Sequence, residues 1–236
     1  TVAQENVAVG YGALTSNVFG NYTVAIGAKA LEVQNPADGS HSVYNVAIGY
    51  NAGADITSGH GHTIIGGQAG DAITTSVDNT VMGKEALSAE TTGSYNTAIG
   101  KEALKVQGGG VENTALGRQA GLAVTTGDNN TLIGGNAGDA LTTGSNNIII
   151  GKDAAASAVG VSNEIVIGKL AGGLGANSAV IGTSAQTNAI VFGLRKTVHN
   201  VGANNITAKV NYINNFDNAG NATITLPDSG DGSQIG

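Results

Sequence analysis

Two glutamates occupy equivalent places in a copied phrase, Glu85 in GKEAL at 83–87 and Glu102 in GKEAL at 100–104. If the copies stack as neighbouring strands, their carboxyls lie about 5 Å apart, near the separation of the two carboxyls of a retaining glycosidase. Each follows a lysine, Lys84 or Lys101, and a duplicated solvated turn accounts for both without chemistry. Asp71 and Asp139 share another column, but four repeats apart, roughly 19 Å at strand spacing, so they cannot cooperate within one chain. His60 and His62 in SGHGHT are the metal candidates, because three copies of His62 brought together could hold a zinc ion. Asp128, Asn129 and Asn130 could gather oxygens at a turn, yet the calcium-binding repeat G-G-x-G-x-D is absent. No nucleophile motif stands near His41 or His199, and no phosphate-cradling G-x-x-x-x-G-K-[ST] occurs. The expectation is a chain that is not an enzyme and has no catalytic residue, metal or cofactor.

Composition narrows the architecture. There are 38 Gly, 2 Pro, no Trp and no Cys, with 4% aromatic residues against 41% apolar. Bulky side chains are scarce, so the core must be thin and built from Ala, Val and Ile. Disulfides and thiolate metal sites are excluded. A net charge of −7 with only 11% charged residues provides no basic patch, so nucleic acid is not an expected partner. No apolar run approaches 18 residues, and membrane insertion is not expected. The chain lacks an initiator Met, a signal-type segment and a lipidation motif, as expected of an internal fragment or a processed product.

A fixed period organises these residues. A Gly closing an AIG-like phrase falls at 10, 27, 49, 66, 83, 100, 117, 134, 151, 168, 182 and 193. The spacings are 17, 22, seven of 17, then 14 and 11, the 22 containing the turn-rich NPADG at 35–39. That insertion predicts a surface loop that leaves the register intact.

Columns are counted from this Gly as position 0. Position −1 is always large and apolar: Val9, Ile26, Ile48, Ile65, Met82, Ile99, Leu116, Ile133, Ile150, Ile167, Ile181, Phe192. Position −3 is mostly β-branched, from Val7, Val24 and Val46 through Thr63, Thr80, Thr97, Thr114 and Thr131 to Ile148, Ile165 and Ile190, with Ala179 the exception. In a strand these two share one face. Position −2 points the other way and is also apolar throughout: Ala8, Ala25, Ala47, Ile64, Val81, Ala98, Ala115, Leu132, Ile149, Val166, Val180, Val191. Both faces of the strand are therefore dry.

A 17-residue repeat has room for two short strands and two turns, one coil of a parallel β-solenoid. Twelve such coils make a rod of roughly 55 Å. A solenoid needs one apolar face; a second leaves a stripe along the rod that a partner must cover. The economical partner is another copy of the chain, arranged about a common axis. Ile26, Ile48, Ile65, Met82, Ile99, Leu116, Ile133, Ile150 and Ile167 are assigned to the coil core, and the whole −2 column from Ala8 to Val191 to the axis. Position +3 is Ala from Ala13 to Ala185, a tight turn site. Position −4 carries Asn79, Asn96, Asn113, Asn130 and Asn147, an amide ladder that can bond from coil to coil. Thr pairs such as Thr74/Thr75 and Thr125/Thr126 read as polar turn filler.

The iterated phrase N-[TSV]-[AV]-[IV]-G-x-x-A over about residues 6–193 resembles the left-handed β-roll of trimeric autotransporter adhesin heads. It is more similar to tailed-bacteriophage tail fibres with NTAIG-type repeats, since adhesin heads use shorter coils, matched here only between Gly168 and Gly182. The resemblance implies an all-β, left-handed, homotrimeric shaft, residues 1–193, with the AIG strand near the three-fold axis. LRKTVHNVGANN at 194–205 is similar to an adhesin neck, and 206–236, with Tyr212 and Phe216, to the start of a β-rich C-terminal module. The implied protein is structural and extracellular, part of a virion tail fibre that projects a distal element onto a host receptor. Its partners are itself, other virion tail proteins, and a host surface glycan or protein. The alternative is a bacterial adhesin head that binds host surfaces directly.

Overall fold

The computed structural model describes residues 3–36 and 42–183. The chain divides into two compact units, Thr1–Ile190 and Val191–Gly236, and every described residue belongs to the first. Val191 and Phe192 of the two columns, the neck-like 194–205 and the module at 206–236 lie outside the described residues, as does most of the 35–39 insertion.

The first unit is a β-solenoid. Among the described residues eleven three-residue strands form one parallel sheet in chain order: β1 (Val7–Val9), β2 (Val24–Ile26), β3 (Val46–Ile48), β4 (Thr63–Ile65), β5 (Thr80–Met82), β6 (Thr97–Ile99), β7 (Thr114–Leu116), β8 (Thr131–Ile133), β9 (Ile148–Ile150), β10 (Ile165–Ile167) and β11 (Ala179–Ile181). Pairing is in register at every step, Ala98 on Ala115 and Ala115 on Leu132. It holds across the insertion, where Val24 pairs with Val46, and across the short coil, where Ile165 pairs with Ala179.

One strand per coil, rather than two, is present among the described residues. The rest of the coil turns through left-handed backbone at −5, +2 and +4, for example Tyr95, Glu102 and Leu104 at φ 63°, 59° and 49°. Such residues interrupt an extended run. Backbone bonding from coil to coil nevertheless continues around the circuit, with Gln119 N–H on Lys101 O at 2.9 Å, Leu104 N–H on Ala120 O at 3.0 Å and Thr125 N–H on Thr142 O at 2.8 Å.

The lumen is narrow. Its wall is the −2 column, from Ala25 to Val166, facing Ala30, Ala86, Ala103 and Ala120 of +3, Leu31, Leu87 and Leu104 of +4, and Ile56, Ile73, Val124 and Leu141 of +7. No Phe or Tyr is among these buried residues.

This reverses the faces assigned from alternation. Ala25, Ile64, Val81, Ala98, Ala115, Leu132, Ile149 and Val166 are 0% exposed, and Ala47 1%, within the isolated chain, so they fill the coil and cannot line an intermolecular axis. Ala8 and Val180, in the end coils, are exposed and half-buried. The residues assigned to the core point outwards: Ile26 37%, Ile48 36%, Met82 44% and Leu116 45% exposed, with Ile65, Ile99, Ile133, Ile150 and Ile167 half-buried. Alternation fixes only parity. The inward parity is the one shared by the Asn ladder at −4, whose amides need buried partners, and by the smaller side chains that a thin lumen accepts.

The repeating Gly sits where coils come closest. From Gly10 to Gly168 its φ stays between +129° and +141°, a region closed to residues with a Cβ. A Cβ on Gly117 would lie 2.5 Å from Gly134 O in the next coil. Gly117→Ala is expected to cost about 2–4 kcal/mol, read as a lowered denaturation midpoint. Gly135→Ala, which has open space around it, is expected to stay within about 0.5 kcal/mol of the parent.

Candidate self-association face

The ladder positions the strands. Asn113 N–H donates to Asn96 Oδ1 at 2.9 Å, Asn130 N–H to Asn113 Oδ1 at 2.9 Å and Asn147 N–H to Asn130 Oδ1 at 3.0 Å. Each amide group also closes its own coil: Nδ2 of Asn79, Asn96, Asn113 and Asn130 donates to the carbonyls of Gly93, Gly110, Gly127 and Gly144 at 2.8–2.9 Å. One small side chain thus satisfies the next coil's N–H and its own coil's turn.

A second ladder, at −6, went unread in the sequence because its residues vary. Val77 N–H donates to Ser94 Oγ, Val111 N–H to Asp128 Oδ1, and Asp128 N–H to Ser145 Oγ, at 2.8–3.0 Å. Asp128 therefore holds a neighbouring coil and Asn130 belongs to the main ladder, so the oxygens of 128–130 do not converge on an ion. The Thr column is tied down likewise, with Thr74 Oγ1 on Thr91 O at 3.0 Å and Thr142 Oγ1 on Val159 O at 2.9 Å.

Two buried acids were also missed. Glu90 Oε1 accepts N–H bonds from Thr91, Thr92, Gly93 and Gly109 at 2.5–2.9 Å, and Gln107 Nε2 donates to Oε2 at 3.0 Å. Glu164, in the ladder column, accepts from Ser157 N–H at 2.9 Å and Gly175 N–H at 2.7 Å. Burial pushes the Glu164 carboxyl up, but these hydrogen bonds outweigh it and the net shift is downward. Both carboxylates serve the backbone.

The candidate chemistry resolves similarly. Glu85 takes Lys105 Nζ at 2.7 Å and Lys84 Nζ at 2.8 Å, and these bonds, Lys105 first, bring its pKa down to about 2. Gln119 Nε2 donates to Glu102 Oε2 at 2.7 Å, and this bond leads the downward shift of Glu102. A general acid requires one carboxyl of the pair to be raised; here both are lowered. Asp71 is raised, first by burial, with Asp55 and Glu85 adding repulsion, and its Oδ1 has no partner. Lys105, two coils on at the same +5 position, instead places a cation on its neighbour. Asp139 is exposed and remote from Asp71.

His62 occupies the ladder column and is fully buried. Its Nε2 bonds Ser76 O at 2.9 Å, so Nε2 carries the proton, and Nδ1 accepts Asn79 N–H at 3.2 Å. Both nitrogens are engaged inside the coil, and three copies cannot meet. Among the described residues no group of three or more His, Asp or Glu is placed to hold a metal.

Outward from the strands lie −1, a large apolar residue in all eleven described coils, and −3, apolar in six of them and Thr in the five from Thr63 to Thr131; together they form a largely apolar face that spans about 50 Å at strand spacing. It is longer than the apolar patches usual on monomers. Two rows flank it, exposed at every charged or Tyr position and half-buried at Ala28, Gly61, Gly67, Gly135 and Thr183. Row −5 holds Glu5, Tyr22, Tyr44, Gly61, Asp78, Tyr95, Glu112, Asn129, Asn146, Asn163 and Asn177; row +1 holds Tyr11, Ala28, Tyr50, Gly67, Lys84, Lys101, Arg118, Gly135, Lys152, Lys169 and Thr183. Comparison of the chain with protein-family models, curated proteins and solved structures returns no match.

Burial lowers the His62 pKa from 6.5 to about 4. The folded pKa lies below the unfolded one, so its contribution is complete above pH 6.5 and is lost as pH falls towards 4. Acidification over that window is expected to cost the parent about 3 kcal/mol more than a His62→Asn variant, measured as denaturant midpoints against pH. Asp71, shifted upward, acts in the opposite sense in both proteins and cancels from the comparison.

Proposed function

We propose that the chain is a structural shaft that assembles with two further copies of itself, as in a bacteriophage tail fibre, and projects a distal receptor-binding element outside the cell. The observation that carries this is the outward apolar face, one large aliphatic residue per coil without interruption from Val9 to Ile181. A coil closed by its own ladders needs no further apolar surface to fold. Exposure of Met82 at 44% and Leu116 at 45% is therefore best understood as surface reserved for a copy with the same repeat. Stiffness comes from coil-to-coil bonding, and a shaft requires length rather than a pocket.

Direct adhesion by the shaft's own surface is the second reading. Tyr22 and Tyr44 favour it: their exposed rings stack with centroids 5.1 Å apart and planes 8° from parallel, a platform on which a sugar ring can lie. Loss of host-cell or glycan-array binding in Tyr22→Ala/Tyr44→Ala, with assembly intact, would favour it over a passive shaft.

Light scattering across a concentration series is expected to give three times 23.2 kDa for the parent. Leu116→Glu is expected to give a folded monomer with an unchanged circular dichroism spectrum. A stable monomeric parent would withdraw the shaft reading.

A further inference from the structure

The flanks of the apolar face differ in sign. Row −5 carries the acids Glu5, Asp78 and Glu112 and no cation, whereas row +1 carries Lys84, Lys101, Arg118, Lys152 and Lys169 and no acid. Positions −5, −3, −1 and +1 are all accessible from outside while −4 and −2 point into the coil, so these charges border the aliphatic residues directly. Lys84 bonds Glu85 within its own chain but stays 62% exposed, leaving donors free for an outside acceptor. Asp78 and Glu112 are exposed beside it on the opposite border.

We infer that these rows set the geometry of self-association, selecting parallel, in-register copies in which row −5 of one protomer meets row +1 of the next at the same coil. This rests on the self-association proposed above and adds direction and register to it. When copies run parallel about an axis along the rod, the start of one strand lies beside the end of its neighbour's. Asp78 then faces Lys84, Glu112 faces Arg118, and Tyr95 faces Lys101, whose ammonium can lie on the ring. Antiparallel copies laid face to face would instead set acids on acids and cations on cations, from different coils, which disfavours them. The central coils carry the discrimination, because opposite charges occupy both rows of one coil only at 78/84 and 112/118. A slip of one coil keeps only one of these two facings, setting Asp78 on Lys101 with Glu112 on Gly135, or Glu112 on Lys101 with Asp78 on Gly67, so the in-register arrangement is favoured by one acid–cation pair. The apolar face supplies attraction; the rows supply direction.

The chain has no cysteine, which makes cross-linking a clean test. Within one protomer the strand Thr80–Met82 stands between position 78 and position 84 and holds them roughly 15 Å apart, beyond a short bis-maleimide. Asp78→Cys/Lys84→Cys is therefore expected to yield covalent trimers, and Asp78→Cys/Arg118→Cys, displaced by two coils, to yield few. In parallel, Lys84→Glu/Arg118→Glu is expected to loosen assembly by about tenfold, and adding Asp78→Lys/Glu112→Lys to restore it. A trimer by mass that neither cross-links in register nor responds to charge reversal would overturn the register while leaving the shaft reading intact. Cross-linking that stops at dimers would support the register and overturn three-fold closure. A monomeric parent would sink both.

Discussion

Backbone hydrogen bonding between successive coils is the constraint on which everything else in this molecule depends. Each coil presents its N–H and C=O groups along the stacking direction, and only another coil of the same path, about 4.8 Å away, can satisfy them. A residue is therefore stacked on its own counterpart, and whatever one position tolerates, the whole column must tolerate. The Gly column is the strictest instance, because its backbone approaches the next Gly more closely than any Cβ allows. The Asn ladder is the most economical, since a single side chain bonds both the next coil and its own turn.

That constraint leaves little space inside. Seventeen residues bent through left-handed corners enclose a lumen filled by Ala and a few aliphatic side chains, and the occasional polar residue must bring its own network. Glu90 and Glu164 are buried because several N–H groups converge on them, and His62 is tolerated because its two nitrogens reproduce the ladder's acceptor and donor. Leu31, Leu87, Leu104 and Leu141 take up the room that the Ala columns leave, and the aliphatic residues at −1, of opposite parity along the strand, point outward and form the face proposed to join copies of the chain.

The acidic and basic groups that first suggested chemistry are distributed by the same rule. Glu85 and Glu102 stand in one column because the phrase is copied, and hydrogen bonds from neighbouring coils, Lys105 on Glu85 and Gln119 on Glu102, lead the lowering of both carboxyls, with Lys84 and Lys101 adding to it. Stacking brings like columns together, and it brings the two sides of a coil no nearer. Opposite charges on the two borders of the outward face can meet only between molecules.

Period, strand position, parallel register and the ladder column were legible in the sequence, because stacking turns spatial neighbours into residues at a constant interval. The apolar character of both −2 and −1 was legible too, from Ala98 and Ile99 standing side by side in a pattern repeated eleven times, although the −1 side is exposed or half-buried in the isolated chain. Which face was inside was not: alternation carries parity alone, and Ala98 or Ile99 could each have been the buried one. The Asn of the ladder shares the parity of Ala98, and its need for buried partners is the signal that would have decided it. The single strand per coil and the bonds of Glu90 depend on backbone turns taken by non-glycine residues such as Tyr95, Glu102 and Leu104, whose side chains do not announce a left-handed conformation. Those features were decided by the tertiary structure, because only closure of the coil determines which atoms meet across the lumen.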